Sequence, residues 1–216
     1  MWTKFKNSNF KNYLITQSIV GSSYYLVSTF TFVKPVELPL TFIDISVKPH
    51  FSAFWIYMSF FLLLICGITF VSKTDSKECV KNVLMNSLIA SFFFFFFPTR
   101  ITYDDYTPYV QEDTITGAFI KMMKQYDNTS NCFPSLHISN SITATYFLNK
   151  YKKQSTKIIN IIWLLLIVWS VLSTKQHTIY DVVGGLLLSL TSFSIIKYLN
   201  KYYFKTEIKE KNIETT

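Results

Sequence analysis

The sequence predicts an all-α fold, a polytopic membrane helix bundle with about six transmembrane helices. Half of its 216 residues are hydrophobic, and they come in long runs rather than in the alternating pattern of a soluble core. Two of these runs, FWIYMSFFLLLICGITFV (54–71) and IINIIWLLLIVWSVL (158–172), contain no charged residue. Since a helix of roughly 20 mostly apolar residues crosses the hydrocarbon layer of a membrane, each run predicts a membrane-spanning helix.

Six segments of the chain fit such helices, although the first is rather polar and the fourth is short. In chain order they cover residues 13–33, 52–72, 80–98, 134–149, 157–173 and 180–199. The length suggests one domain. We therefore interpret residues 1–204 as a single membrane domain and residues 205–216 as a polar cytoplasmic tail.

The distribution of basic residues predicts the orientation of the helices. Six spans put both termini on one side, which carries 15 of the 21 Lys and Arg residues, whereas the opposite loops carry six of them and seven of the 13 acids. Because basic loops stay in the cytoplasm, we expect cytoplasmic termini and outer loops at 34–51, 99–133 and 174–179. The net charge of +8 then reflects topology and contact with anionic lipids, and it gives no reason to expect a nucleic-acid partner.

The longest outer loop contains an amphipathic segment at residues 113–127. Its apolar residues recur at helical spacing, and Asp113 is suited to the N-cap position. We expect a short helix that lies on the membrane surface; a moving lid is the alternative.

A histidine lies one turn inside the fourth predicted helix, in CFPSLHISNS (132–141). Pro134 suits the first helical position, where its missing N–H costs nothing. The free N–H groups of a helix start bind phosphate readily. Taken alone, His137 fits such a site and a histidine that merely packs inside the bundle equally well.

A second histidine and an acid open the sixth predicted helix, in STKQHTIYDVVGG (173–185). His177 and Asp181 are four residues apart, a spacing at which two side chains share a helix face. Asp181 could accept a hydrogen bond from one ring nitrogen and leave the other as a nucleophile or base; a purely stabilising pair is the alternative. Gly184 and Gly185 would let another helix approach closely.

Basic groups lie at the same predicted membrane face. Arg100, at the end of the third span, is the only arginine beside 20 lysines, and its forked cation suits phosphate. An interfacial arginine that merely reaches toward water is the alternative. Together with Lys175, Ser135 and the helix start, the two histidines and Asp181 would form a phosphate site with an acid, a base and a nucleophile.

These motifs resemble the type-2 phosphatidic acid phosphatase superfamily of membrane phosphatases and phosphotransferases. The pattern of that family is K-x6-R-P, then P-S-G-H, then S-R-x5-H-x3-D. Here PSLH (134–137) and S-V-x5-H-x3-D (170–181) follow in the same order, and their wording is closest to the branch with the inositol phosphorylceramide synthases. The motifs lie within residues 98–185, and the six-span layout extends the resemblance over most of the chain.

The resemblance implies a role for each matching residue. His177 would attack phosphorus and form a phosphohistidine, with Asp181 orienting the ring. His137 would protonate the leaving alkoxide and later activate water or an acceptor alcohol. The phosphoryl oxygens would be held by Arg100, Ser135 and, as we suggest, Lys175. No cofactor or metal is implied, since positive groups stabilise the transition state and the three scattered cysteines form no CxxC pair.

Four positions depart from the family pattern. The first motif lacks its lysine and its proline, the second its glycine and the third its arginine, at Phe93, Ile101, Leu136 and Val171 respectively. Two basic contacts of the family pattern are therefore missing, while both histidines and the aspartate are present.

The leading hypothesis is an integral-membrane enzyme that removes or transfers the phosphoryl group of a lipid phosphate at the outer (periplasmic or luminal) face. Within the family, the alternative is a transferase of the sphingolipid-synthase type, which passes an inositolphosphate or other phosphoalcohol group to an alcohol acceptor. Outside it, the alternatives are a proton- or metal-relay transporter that uses the same histidines and aspartate, and an inactive relative.

Overall fold

The computed structural model describes residues 2–30, 32–101, 114–126 and 131–214, and its architecture is the all-α bundle that the sequence predicts. The helices are α1 (Trp2–Thr29), α2 (Phe42–Ser46), α3 (Phe54–Thr69), α4 (Lys73–Phe96), α5 (Ile115–Tyr126), α6 (Leu136–Asn149), α7 (Gln154–Ser173) and α8 (Ile179–Glu214). Two short strands, β1 (Val36–Glu37) and β2 (Thr99–Arg100), pair in parallel.

Three of the described helices are long and apolar enough to cross a membrane. They are α4, α7 and the part of α8 that covers Ile179–Tyr203. The α3 helix is also apolar but has only 16 residues. Apolar helices of this length indicate a membrane protein. The count of six spans stays a prediction, because α1 is rather polar and α6 has only 14 residues.

The α6 helix lies in the middle of the bundle, in contact with α3, α4, α7 and α8. Small residues bring it close to α3, since a Cβ at Gly67 would lie 2.6 Å from the Cβ of Ala144. Buried polar pairs hold it to α4, where Asn86 Nδ2 donates to Asn140 Oδ1 at 3.0 Å and to Thr143 Oγ1 at 3.2 Å. Close backbone contact and interhelical hydrogen bonds are typical of helix packing in membranes.

Several helix ends differ from the sequence prediction. Pro134 is not the first residue of α6: Ser135 is the N-cap, its hydroxyl accepts from the N–H of Ile138 at 3.4 Å, and the helix begins at Leu136. A serine hydroxyl satisfies a free N–H of the first turn, so the helix starts directly after it. The α8 helix continues through Glu214, into the segment predicted as a tail, because lysine and glutamate are good helix formers.

The amphipathic segment within residues 113–127 is a helix, as predicted, and its position at the membrane surface stays a prediction. Asp113, its expected N-cap, lies outside the described residues, and Thr114 provides a cap by accepting from the N–H of Gly117 at 3.0 Å. The α5 helix packs over the first turn of α3. Trp55 Nε1 donates to Thr116 Oγ1 at 3.0 Å, and Phe119 lies against the same indole ring.

Candidate active site

The two histidines predicted from the sequence lie side by side. His137 Nδ1 is 3.2 Å from His177 Nε2, although 40 residues separate the two in the chain. The Ser135 hydroxyl lies 3.1 Å from the same Nε2 atom. His137 belongs to the first turn of α6, and His177 lies in the loop before α8. The Nε2 atom of His177 therefore faces a hydroxyl and the second histidine together.

Asp181 lies on the other side of the His177 ring and is fully buried. Its Oδ2 is 3.5 Å from His177 Nδ1. The same oxygen accepts from the Thr178 N–H at 2.7 Å and from the Thr178 hydroxyl at 3.1 Å. The four-residue spacing predicted that the two side chains share a helix face. They do not, because His177 precedes the first residue of α8. They meet instead because the carboxylate turns back to cap the start of the helix.

Two glycines allow α8 to meet the start of α6. A Cβ at Gly185 would lie 2.7 Å from the carbonyl oxygen of Ser135, and one at Gly184 would overlap the ring of Phe133. At this contact the N–H of Ser135 donates to the carbonyl of Asp181 at 3.2 Å. The close approach expected of the Gly-Gly pair is thus present, and it fixes the distance between the segments that carry the histidines.

Lys175 connects the His177 loop to α2. Its Nζ donates at 2.6 Å to the carbonyl oxygens of both Asp44 and Val47. Its backbone has a φ of 57°, in the left-handed region that non-glycine residues adopt at a cost. Burial lowers the pKa of the Lys175 ammonium, while the charge of Asp44 acts in the opposite direction. The ammonium thereby holds the loop against the end of α2.

Asp44 is a buried acid that the sequence reasoning did not single out. With Thr41 it forms a capping box at the start of α2, and its Oδ1 accepts from the N–H of Ile179 at 2.8 Å. The signal was available, since a threonine followed three residues later by an acid marks a helix start. The contact with α8, in contrast, depends on the fold.

Arg100 lies in β2 and is exposed. Its guanidinium forms an ion pair with the carboxylate of Glu37 on the neighbouring β1, with Nε 3.1 Å from Oε1. The structure thus brings together His137, His177, Ser135 and Asp181. It places the charged groups of Arg100 and Lys175 in other contacts, and a phosphate-binding role for these two stays a prediction.

Apolar packing occupies the positions at which the family pattern has other residues. Phe93 meets Phe133 edge-on, with 6.0 Å between the ring centroids. Val171 is fully buried, and its carbonyl accepts from the N–H of His177 at 3.2 Å. Leu136 packs against a small cluster between α4 and α8 that consists of Ala90, Phe94 and Leu188. These three positions therefore contribute packing contacts where the family pattern has a lysine, an arginine and a glycine.

Tyr57 on α3 also belongs to the site, and the sequence reasoning missed it. Its hydroxyl lies 2.9 Å from Nε2 of His137, and the ring of Phe60 lies 4.8 Å from the same imidazole. The sequence signal was weak, because Tyr57 lies in an uncharged apolar run where an aromatic residue is expected only to pack. Within the described residues, no group of three or more His, Cys, Asp or Glu side chains could hold a metal ion.

Comparison with protein families gives a match. A family model described as the PAP2 superfamily matches residues 37–195, a range that covers more than half of the chain and includes both histidines and Asp181. A search of curated proteins and a search of solved structures return no match.

Proposed function

This chain belongs to the PAP2 superfamily, and from that premise we propose that it is an integral-membrane phosphatase or phosphotransferase that acts on a lipid phosphate. Membership supports a phosphate-ester substrate, and the apolar helices support a membrane location. The observation that carries the proposal is the 3.2 Å approach of His137 Nδ1 to His177 Nε2, with Asp181 behind the second ring.

In the first half of the proposed reaction, His177 Nε2 attacks phosphorus while the bond from phosphorus to the lipid oxygen breaks. Protonated His137 gives its Nδ1 proton to that oxygen, so the lipid leaves as an alcohol. Nε2 suits the role of nucleophile because it faces Ser135 and His137, whereas Nδ1 faces Asp181. The carboxylate keeps a proton on Nδ1 and stabilises the positive charge that develops on the ring.

In the second half, water or an alcohol attacks the phosphohistidine. Neutral His137 accepts the proton of the attacking hydroxyl at Nδ1 as the bond between phosphorus and His177 breaks. Attack by water releases inorganic phosphate, and attack by an alcohol forms a new phosphate ester. Of the two reactions we propose hydrolysis first, because phosphatase activity is the more general category.

A transferase that handles phosphodiesters, of the sphingolipid-synthase type, is the second candidate. Phe93 and Val171 support it, because they pack as apolar groups where the family pattern has basic residues. A phosphodiester carries one negative charge, whereas an ionised phosphomonoester carries nearly two, so it needs fewer cations. Ser135 and the N–H groups at the start of α6 would then hold much of the phosphoryl group.

The charge distribution supports cytoplasmic termini and an active site at the outer face. The site lies at the starts of α6 and α8. This is the end of the helix bundle whose loops contain few basic residues. Lys150, at the opposite end of α6, forms an ion pair with Asp75 at 2.6 Å. We propose a periplasmic or luminal site on this basis.

The decisive experiment measures phosphate release by the purified full-length protein from a panel of lipid phosphates, and transfer from lipid phosphodiesters to an added alcohol. We expect His177→Ala to abolish turnover and His137→Ala to lower it by roughly 10²–10⁴-fold. His50→Ala is the matched control, since this exposed histidine bonds Ser52 at 2.6 Å. Turnover at the wild-type rate in both site variants would rule the mechanism out. Metal uptake without phosphate chemistry would favour a relay transporter instead.

A further inference from the structure

We propose that Tyr57 is a positioning residue that keeps Nδ1 of His137 as the nitrogen that exchanges its proton with the reacting groups, an inference that rests on the function proposed above. The Tyr57 hydroxyl is 2.9 Å from His137 Nε2. The opposite nitrogen, Nδ1, is the one that lies 3.2 Å from His177 Nε2. The two ring nitrogens of His137 therefore have separate roles. Nε2 bonds Tyr57 on α3, and Nδ1 points at the proposed nucleophile.

The chemistry of a phenol suits this task, because its hydroxyl can both donate and accept a hydrogen bond. When His137 carries protons on both nitrogens, the Tyr57 oxygen accepts from Nε2–H. After the Nδ1 proton has passed to the leaving oxygen, Nε2 keeps its proton and its bond. The lone pair of the neutral ring then lies on Nδ1, where the second half of the reaction needs an acceptor. The opposite tautomer would present an N–H to the attacking water and could not take its proton.

Packing around His137 limits the other orientations of its ring. Tyr57 is only 4% exposed, and its ring lies 4.8 Å from the imidazole at an interplanar angle of 45°. Phe60, one turn further along α3, lies at the same distance and meets the imidazole edge-on at 73°. A ring flip of His137 would lose the hydrogen bond to Tyr57 and turn Nε2 away from it. The aromatic face of α3 thus favours one rotamer of His137, the one that turns Nδ1 toward His177.

The first test reads the tautomer directly and needs no activity. The chain has three histidines, so a spectrum of the ¹⁵N-histidine-labelled full-length protein in micelles can be assigned by replacing each in turn. In wild-type protein with neutral His137 and the His177 proton on Nδ1, we expect His137 Nδ1–H to donate to His177 Nε2 and the Tyr57 hydroxyl to donate to His137 Nε2. We expect Tyr57→Phe, which keeps the ring, to shift His137 toward a mixture of tautomers. The matched control is Tyr146→Phe, at an exposed position of α6. An unchanged His137 tautomer in Tyr57→Phe overturns the proposal.

The second test separates positioning from simple stability. We expect Tyr57→Phe to lower kcat by at least about 10-fold, less than His137→Ala does, with KM within about twofold of wild type. A residue that only stabilised the fold would lower the unfolding temperature and leave kcat unchanged, and that result would overturn the inference while the proposed function stood. If wild-type protein processed no lipid phosphate, the proposed function would fail. The tautomer measurement alone would then support or overturn the role of Tyr57.

Discussion

The Asp44 carboxylate accepts a 2.8 Å hydrogen bond from the backbone N–H of Ile179, so a residue of α2 caps the helix that follows the proposed nucleophile. The main-chain carbonyl of Asp44 also accepts from the ammonium of Lys175 at 2.6 Å. His177 lies between these two anchored positions. Its placement therefore depends on a segment more than 130 residues earlier in the chain.

Asp44→Asn tests this dependence. The amide has one oxygen in place of two, so it cannot satisfy both the start of α2 and Ile179. We expect a loss of about 1–3 kcal/mol in the free energy of unfolding, together with a lower kcat because the His177 loop loosens. Thr41→Ala is the control, since it removes the cap hydroxyl of α2 and leaves the bond to Ile179. Thermal unfolding in detergent and phosphate release measure both effects. If Thr41→Ala lowered kcat as much as Asp44→Asn, the contact with Ile179 would not be the cause.

Arg100 and Glu37 form an exposed ion pair, and two variants separate its possible roles. Exposed pairs contribute only about 0–1 kcal/mol to stability, so Arg100→Gln and Glu37→Gln should unfold at nearly the wild-type temperature. If Arg100 binds phosphate, Arg100→Gln raises KM by roughly 10-fold, the scale of one hydrogen bond to a charged group. Glu37→Gln breaks the same pair but keeps the guanidinium, and we expect its KM to equal or fall below that of wild type. The same rise in KM in both variants would contradict phosphate binding by Arg100.

Gly185→Ala should separate α8 from α6. The added methyl would lie 2.7 Å from the carbonyl oxygen of Ser135 and 2.9 Å from the Cβ of Ile138. Because the backbone at Ser135 would have to move to make room, we expect a loss of about 1–3 kcal/mol in the free energy of unfolding. We also expect a marked loss of activity. Gly21→Ala is the matched control, because a methyl group added there would have no atom of the described residues within 4 Å outside its own helix turn. In that variant we expect wild-type activity and equal or slightly higher stability. Unfolding temperatures that fell equally in both variants would contradict the close helix contact.

Asp181→Asn should damage catalysis more than it damages the fold. The amide keeps the shape of the carboxylate, but it removes the charge that favours a proton on His177 Nδ1. In the comparable His–Asp arrangement of serine proteases this change lowers kcat roughly 10⁴-fold, and we expect a loss of similar order. Thr178→Val removes the hydroxyl contact of the same carboxylate but keeps the backbone one, and it should lower kcat far less. A turnover number within about tenfold of wild type in Asp181→Asn would exclude the proposed role.

The histidines and the aspartate could be found from the sequence because each lies near the start of a predicted helix in a spaced motif. A helix start is determined by residues that are close in the chain, so a motif at a helix start predicts where its side chains lie in the fold. The capping contact between Thr178 and Asp181, which places the carboxylate 3.5 Å from His177 Nδ1, also depends on nearby residues, although the spacing alone suggested a shared helix face. Leu136, an unexplained departure at first, acquires a packing role once α4 and α8 are placed around it.

The contacts of Tyr57, Asp44 and Lys175 could not be predicted in the same way. Tyr57 meets His137 across 80 positions of the chain, and nothing in an apolar run marks which face of α3 turns inward. Lys175 was expected at the phosphate because it is basic and near the nucleophile. In the structure its ammonium donates to the carbonyls of Asp44 and Val47, contacts that have no sequence signature, and its role at the phosphate stays a prediction. Such contacts depend on tertiary packing, whereas the motifs depend on neighbours in the chain.

The buried amide pair of Asn86 and Asn140 has a consequence for how the protein is made. With 14 residues and a polar interior face, α6 is poorly suited to stand alone in hydrocarbon, where unpaired amides are costly. Its stable insertion therefore requires α4 to be present as a partner. We therefore expect the two histidines to come together only after the other helices have closed around α6.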